Sequence, residues 1–347
     1  MKKISIPILL FLIFFFLHNT FAGIIEVPRK TRVLAAGDVM FDWGLRETMK
    51  TKGFYSPILG LKSLFETADI RMVNLETPVT SGNLEPDKIK SYVFNAKPEE
   101  LGLLEFLEVD HVFLANNHSM DYGKEGLEET MKILNEKSIG FSGAGANLDS
   151  AYSTRTIQRR DLKLEITSVS AIGENRLFAT RSNPGAAPYS LKKLVTFPGS
   201  KEESVSLLSV HWGVEYSPEP TAQQVRDAHK LIDSGFKIII GHHPHIPQGI
   251  EKYGNGVIFY SMGNFIFGSK NQYLNHNLMA IFHFEGNRLI YCEVIPVFGK
   301  FQNSQHIIHP LEGEEADSFL KEIAYLSQKL DTKLTLKNNR AYLFFED

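Results

Sequence analysis

Ile238-Ile239-Ile240 runs straight into Gly241-His242-His243-Pro244-His245. A short apolar run of this kind fits a buried strand. Three imidazoles within four residues beside a proline are hard to bury without a metal or a carboxylate partner. The arrangement recurs along the chain. Val33-Leu34-Ala35-Ala36 leads into Gly37-Asp38, and Ile70-Arg71-Met72-Val73 into Asn74-Leu75-Glu76. Val112-Phe113-Leu114-Ala115 leads into Asn116-Asn117-His118, with Asp121 close behind, and Leu207-Leu208-Ser209-Val210 into His211-Trp212-Gly213. Singly, most of these are weak signals. Gly-Asp after a strand commonly marks a turn or helix cap, Asn116-Asn117 fits an Asx turn, and His211 alone fits a satisfied core histidine. Five repetitions point to one site, because open α/β sheets bind ligands outside the carboxyl ends of their strands. Imidazole with carboxylate suits Zn, Mn or Fe, and Mg if the imidazoles stand back from the ion.

Between these strands lie segments with helical spacing. Gly123–Lys137 carries Leu127, Met131 and Leu134, and Thr221–Ser234 carries Val225, Ala228, Leu231 and Ile232. Such alternation predicts a layered α/β domain. Beyond Gly249 the texture changes to hairpins, around Gly254-Asn255-Gly256 and Glu285-Gly286-Asn287, whose residues supply positive φ. The expected organisation is one domain over 31–300, with inserted segments at Asn83–Lys97 and Gly173–Ser200. A C-terminal extension, 301–347, is expected to carry a helix over Gly313–Leu330 packed on the outside.

The chain has 347 residues, 43% of them hydrophobic and 22% charged, with a net charge of -3. That allows a sizeable core and gives no basic footprint, so nucleic acid is excluded as a partner class. Lys2-Lys3 precede an apolar run from Ile4 to Leu17, and Ala22 follows as a small residue. This describes a signal peptide over 1–22, or an uncleaved anchor, and in both cases an exported domain: periplasmic, extracellular or membrane-anchored. The single cysteine, Cys292, cannot form an intramolecular disulfide and sits in a strand-like run, which predicts a buried inert thiol.

The motifs together resemble the CapA family of poly-γ-glutamate capsule biosynthesis proteins, whose fold is similar to that of calcineurin-type metallophosphoesterases. The resemblance rests on Gly37-Asp38-Val39-Met40, Asn74-Leu75-Glu76-Thr77-Pro78, Ala115-Asn116-Asn117-His118 with Asp121-Tyr122-Gly123, His211-Trp212-Gly213-Val214-Glu215, Gly241-His242-His243-Pro244-His245 with Gln248, and Tyr260-Ser261-Met262-Gly263-Asn264-Phe265. It implies a four-layer α/β/β/α sandwich with a metal centre on one edge. Carried over by position, the metal ligands are Asp38, Glu76, Asn117, His211, His243 and His245, with His242 an alternative to its neighbour. His118, as acid or charge stabiliser, and Asp121 are the expected catalytic residues, and Asn74, Trp212 and Asn264 are expected to touch substrate.

Two departures bear on the centre. Met40 stands where metallophosphoesterases place the histidine of Asp-x-His, and Asn74-Leu75-Glu76 replaces Gly-Asp-x-x-Asp. The expectation is one divalent ion, or two held with unequal affinity. The implied function is capsule or poly-γ-glutamate biosynthesis, with a metal-dependent hydrolase- or transferase-type site. Implied partners are an anionic surface polymer or its precursor and membrane-bound capsule synthesis subunits. The alternatives are a non-catalytic polymer-binding or assembly subunit and a general secreted phosphoesterase. Trp43, Tyr92 and Phe94 are candidates for a wall or cap over the pocket, and Arg46, Lys90 and Lys97 for anion contacts.

Overall fold

The computed structural model describes residues 30–197, 203–271, 274–302 and 305–345. The expected signal segment, 1–22, lies outside them. No helix among the described residues is long and apolar enough to cross a membrane.

Two sheets face each other. In the ten-stranded sheet, Thr31–Met40 pairs in parallel with Ile70–Leu75, which continues in parallel through His111–Phe113 to Gly140–Ser142. On its other side Thr31–Met40 runs antiparallel to His276–Glu285, which is joined in turn to Arg288–Gln302. In the six-stranded sheet, Leu162–Ser170, Val205–His211, Ile238–His242 and Gly256–Phe259 are parallel neighbours, with antiparallel strands at both edges.

Strand alternation explains the layering. Val33 and Ala35 face the core between the sheets with Leu207, Ile238 and Ile240. Leu34 and Ala36 face the opposite side, under the helices Gly44–Lys52 and Gly123–Glu136, which contribute Leu45 and Leu127. Across the molecule, Leu208, Val210 and Ile239 pack on Ala228 and Leu231 of the helix Ala222–Ser234. That helix starts at a capping box, where the Thr221 side chain accepts from Gln224 N, and stops at Gly235 with φ of 121°. The four-layer α/β/β/α sandwich is therefore present. Both predicted hairpins form, with Gly254 and Gly286 at φ of 54° and 56°.

The C-terminal stretch differs from expectation. Arg288–Gln302 runs across the boundary placed at 300, and Arg340–Phe344 pairs onto it through Tyr291 to Val294. The helix Gly313–Gln328 is no outer appendage: Ala316, Phe319, Leu320 and Ile323 enter the core between the sheets. Its i, i+3, i+4, i+7 apolar stripe needs a partner, and the open end of the sandwich supplies one.

His111, in the third strand, has a wholly structural setting. It is fully buried, its Nε2 lies 3.0 Å from Ser142 Oγ, and Nδ1 has no partner. Burial, with a smaller contribution from Arg155, pushes its pKa down to about 3. In the unfolded chain the ring titrates near the ordinary value of about 6.5. Between these values the unfolded state binds the extra proton, so stability is lost as pH falls through that window. At pH 4.5 the loss from this group is expected to be on the order of 2–3 kcal/mol. Denaturant unfolding at pH 7 and pH 4.5 should show the wild type losing that much more than His111→Gln; equal losses would contradict the assignment.

Candidate metal centre

The polar residues converge where the two sheets meet at their carboxyl ends. Close backbone approach permits this. A Cβ on Gly37 would lie 1.9 Å from Gly263 O, and one on Gly241 1.9 Å from Tyr260 O. Asp38 N donates to Gly263 O at 3.1 Å, which locks the Asn264–Phe267 strand beside the first. His243 and His245 have φ of 97° and 60°. A non-glycine residue in such a conformation costs about 1–3 kcal/mol, a cost that concentrates at functional sites.

Asp38 is fully buried and heavily supported. Its Oδ1 accepts from Asn74 Nδ2 at 2.8 Å, and its Oδ2 from His243 N at 3.3 Å. His242 Nδ1 lies 3.0 Å from Oδ1, close enough for an ion pair but out of line for a hydrogen bond. His245 Nδ1 lies 3.6 Å from Oδ2. Burial opposes ionisation of Asp38, yet contacts and charge from His242 and His245 more than offset it and hold its pKa well below the usual value.

Glu76 is the opposite case. It too is fully buried, but neither carboxylate oxygen has a hydrogen-bond partner. Burial first, and then the negative charge of Asp38, push its pKa well above the ordinary value. His211 Nε2 is 3.5 Å from Glu76 Oε1 and 2.7 Å from Asn117 Oδ1. His211 Nδ1 and His243 Nδ1 are buried without partners. Burial lowers the pKa of both rings, that of His243 to about 4 with help from His245, so both are neutral donors of lone pairs near pH 7.

Two groups have ligand atoms within 4.8 Å of one another: Asp38, Glu76 and His245, and Glu76, His211 and His243. They share Glu76. All five residues were expected as ligands, and Asn117 joins the second group through its contact with His211. His242 belongs to neither; it ends its strand opposite His211 and packs beside Phe113. A buried carboxylate with neither oxygen hydrogen-bonded, gathered within 4.8 Å of imidazole and carboxylate ligand atoms, is what a divalent cation satisfies, so this donor set fits one.

His118 stands beside these groups. Its Nδ1 lies 2.8 Å from Asp121 Oδ2, which also accepts from Phe94 N at 2.8 Å. The Phe94 ring stacks on the imidazole with centroids 3.9 Å apart. Burial lowers the His118 pKa and Asp121 only partly restores it, so the free imidazole is neutral near pH 7.

Several expected contacts are corrected. Asn74 is fully buried between Asp38 and Asn116, holding the aspartate instead of meeting substrate. Asn264 Oδ1 lies 3.0 Å from His245 Nδ1 and orients that ring. Asp121 is fully buried and positions His118 rather than reaching a ligand. Lys90 is no anion contact, because its ammonium is bonded to Asp121 and to Asn117 O. Arg46 is likewise held by Glu100 and Asp42. Trp43 and Tyr92 do line the entrance with Phe94.

Trp212 is a core residue. It stacks on Tyr260 and donates Nε1–H to Tyr260 O at 3.0 Å. Trp212→Phe leaves that buried carbonyl without its indole donor. It is expected to cost about 1–3 kcal/mol of stability with metal content unchanged; loss of metal at unchanged stability would restore Trp212 to the site. Sequence patterning missed Glu215 and Tyr216 at the entrance and the contact of His242 with Asp38. Glu215 closes the His211-Trp212-Gly213-Val214-Glu215 motif, a signal with no role attached to it.

A family model described as bacterial capsule synthesis protein PGA_cap matches residues 32–269, which contain every residue of the two ligand groups. A PGA biosynthesis protein CapA from Bacillus subtilis is 30% identical over 308 residues, covering 85% of this chain and 79% of that protein. A capsule biosynthesis protein CapA from Bacillus anthracis is 27% identical over 279 residues, covering 77% and 67%. Among solved structures, a phosphatase from Mycoplasma pneumoniae aligns with a TM-score of 0.46 at 15% identity, over 78% of this chain and 94% of the other.

Proposed function

The chain belongs to the family of bacterial capsule synthesis proteins, PGA_cap, and from that membership we propose that it acts outside the cytoplasm in making a poly-γ-glutamate-type surface polymer, through a divalent-metal site centred on Glu76. The observation that carries the metal reading is the Glu76 carboxylate, buried with both oxygens unpartnered between two sets of donors. Asp38, Glu76 and His245 would hold one cation, and Glu76, His211, His243 and the Asn117 amide oxygen a second. Mn, Zn, Fe and Mg all accept carboxylate ligands, and the three imidazoles favour the first three. The export reading rests on the Lys2–Ala22 segment.

A bound cation supplies a Lewis acid and a nucleophile usable at neutral pH. The chain's own residues supply the rest. Asp121 accepts from His118 Nδ1–H and so leaves Nε2 as the atom that takes up and returns a proton. Phe94 fixes the plane of that ring and keeps water from one face of it. Asn74 and Asn264 hold Asp38 and His245 in register, which lowers the reorganisation needed during reaction. This equipment suits hydrolysis or transfer at an amide or phosphoester group, with the polymer or its precursor as substrate and membrane-bound synthesis subunits as neighbours.

A second reading, a polymer-binding subunit without turnover, is favoured by Met40. That side chain is buried against Phe94 and Phe267 and accepts from Asp42 N at 3.0 Å, so it offers no imidazole to the centre. Incubation of the metal-loaded protein with γ-glutamyl chains and with phosphoesters separates the readings. Release of product, slowed about 10²–10⁴-fold in His118→Ala, is the expected result. Polymer retained with no product from either substrate class would assign the binding role.

A further inference from the structure

The entrance to the centre is a cavity of about 250 Å³ with His118 and His245 on its floor. Its walls are aromatic: Trp43, Tyr92 and Tyr216 are 46%, 66% and 53% exposed. Trp43 meets Tyr92 edge-on at 6.3 Å and Phe94 at 5.4 Å, while Tyr216 lies 6.0 Å from His245. Glu215, which is exposed, is the one Asp or Glu among the described lining, and none of that lining is Lys or Arg. A track for a polyanion would be lined with Lys and Arg; the described lining is not. Exposed aromatic faces beside a carboxylate suit an ammonium group, drawn by ring quadrupoles and by the opposite charge.

We propose that the entrance binds a protonated amine, so that the preferred ligand is a zwitterion. Its ammonium rests among Trp43, Tyr92, Tyr216 and Glu215, and its oxyanion points toward the Glu76 centre. The assignment of the oxyanion end rests on the metal reading above; the ammonium subsite stands on the walls alone. Two sources share this chemistry. One is the free amino end of a γ-glutamyl chain, which would make the protein a reader of chain ends instead of chain middles. The other is a phosphoethanolamine-type headgroup.

Titration calorimetry on the metal-loaded full-length protein tests this with two matched pairs: tri-γ-glutamate with a free or an acetylated amine, and phosphoethanolamine against ethyl phosphate. Trp43 fluorescence serves as a second readout, since the only other tryptophan, Trp212, is buried. The ammonium-bearing member of at least one pair is expected to bind about tenfold more tightly. That preference should vanish in Glu215→Gln and shrink in Trp43→Ala and Tyr216→Ala, with the neutralised member unaffected. Equal affinities in both pairs, no binding by any of the four compounds, or a preference that survives all three substitutions would overturn the proposal. A preference confined to the phosphate pair would keep the subsite and remove the glutamyl polymer as its ligand. Glu215→Gln lies on the surface and keeps side-chain shape, so the test does not depend on the aromatic variants folding.

Discussion

Glu76→Gln should make the metal-free protein more stable and at the same time abolish its stabilisation by divalent cations. The carboxylate is fully buried, has no hydrogen-bond donor on either oxygen, and faces the negative Asp38. Without a cation this arrangement is costly, since an unsatisfied buried polar group costs about 1–3 kcal/mol and a charged one more. Burial and Asp38 hold the Glu76 pKa well above the ordinary value, so folding must either keep the charge against that shift or take up a proton. A neutral isostere avoids both, and a gain of about 1–3 kcal/mol is expected in chelator. Wild type saturated with cation at a hundredfold excess over Kd gains about 2.7 kcal/mol; the variant should gain none. The two effects have opposite signs, which separates a metal site from a structural carboxylate. Thermal unfolding of both proteins in chelator and in Mn or Zn measures it. A variant less stable than wild type in chelator, or equally stabilised by metal, would contradict this role.

The second large effect is expected at His118. Replacing it with alanine should lower turnover by about 10²–10⁴-fold on whichever substrate the wild type processes, with metal content intact. The ring is bonded to Asp121 and belongs to neither ligand group, so the loss falls on proton transfer. Asp121→Asn should behave differently. It removes the acceptor that sets the His118 tautomer and leaves the Lys90 ammonium, 15% exposed, without its carboxylate partner. A stability loss of about 3 kcal/mol should accompany the loss of activity. Metal analysis, turnover and denaturant unfolding of the two variants together check this. Full activity in His118→Ala, or loss of metal from it, would contradict the assignment.

Much of this was legible because it is written in short periods. Runs such as Val33–Ala36 and Ile238–Ile240 are apolar at every position because both faces of their strands are covered, and the polar residues that follow mark the strand ends. Those ends offered Asp38, Glu76, His211 and the three imidazoles of 242–245 as candidates, and the family resemblance singled out His243 and His245; the fold brings these five into two groups. What it hid is long-range. Asn74 and Trp212 sit beside ligands in sequence and Asn264 lies in the Tyr260–Phe265 motif, so all three look like substrate contacts. Their side chains are consumed by Asp38, His245 and the Tyr260 carbonyl, partners set by sheet register and packing. Lys90 belongs to a segment without regular structure, and nothing local to it foretells the pairing with Asp121, 31 residues away. The C-terminal helix was legible as a helix but not in its place, because an apolar stripe says that a face is buried and not against what.

On the proposed reading Glu76 is shared between two cation positions. Anomalous diffraction from crystals of the wild-type protein soaked in Mn or Zn tests it most directly. The predicted result is anomalous density on both sides of the Glu76 carboxylate, one peak toward Asp38 and His245 and one toward His211 and His243, both lost in Glu76→Gln. Density elsewhere in the molecule with none at Glu76, or peaks that persist unchanged in Glu76→Gln, would contradict it.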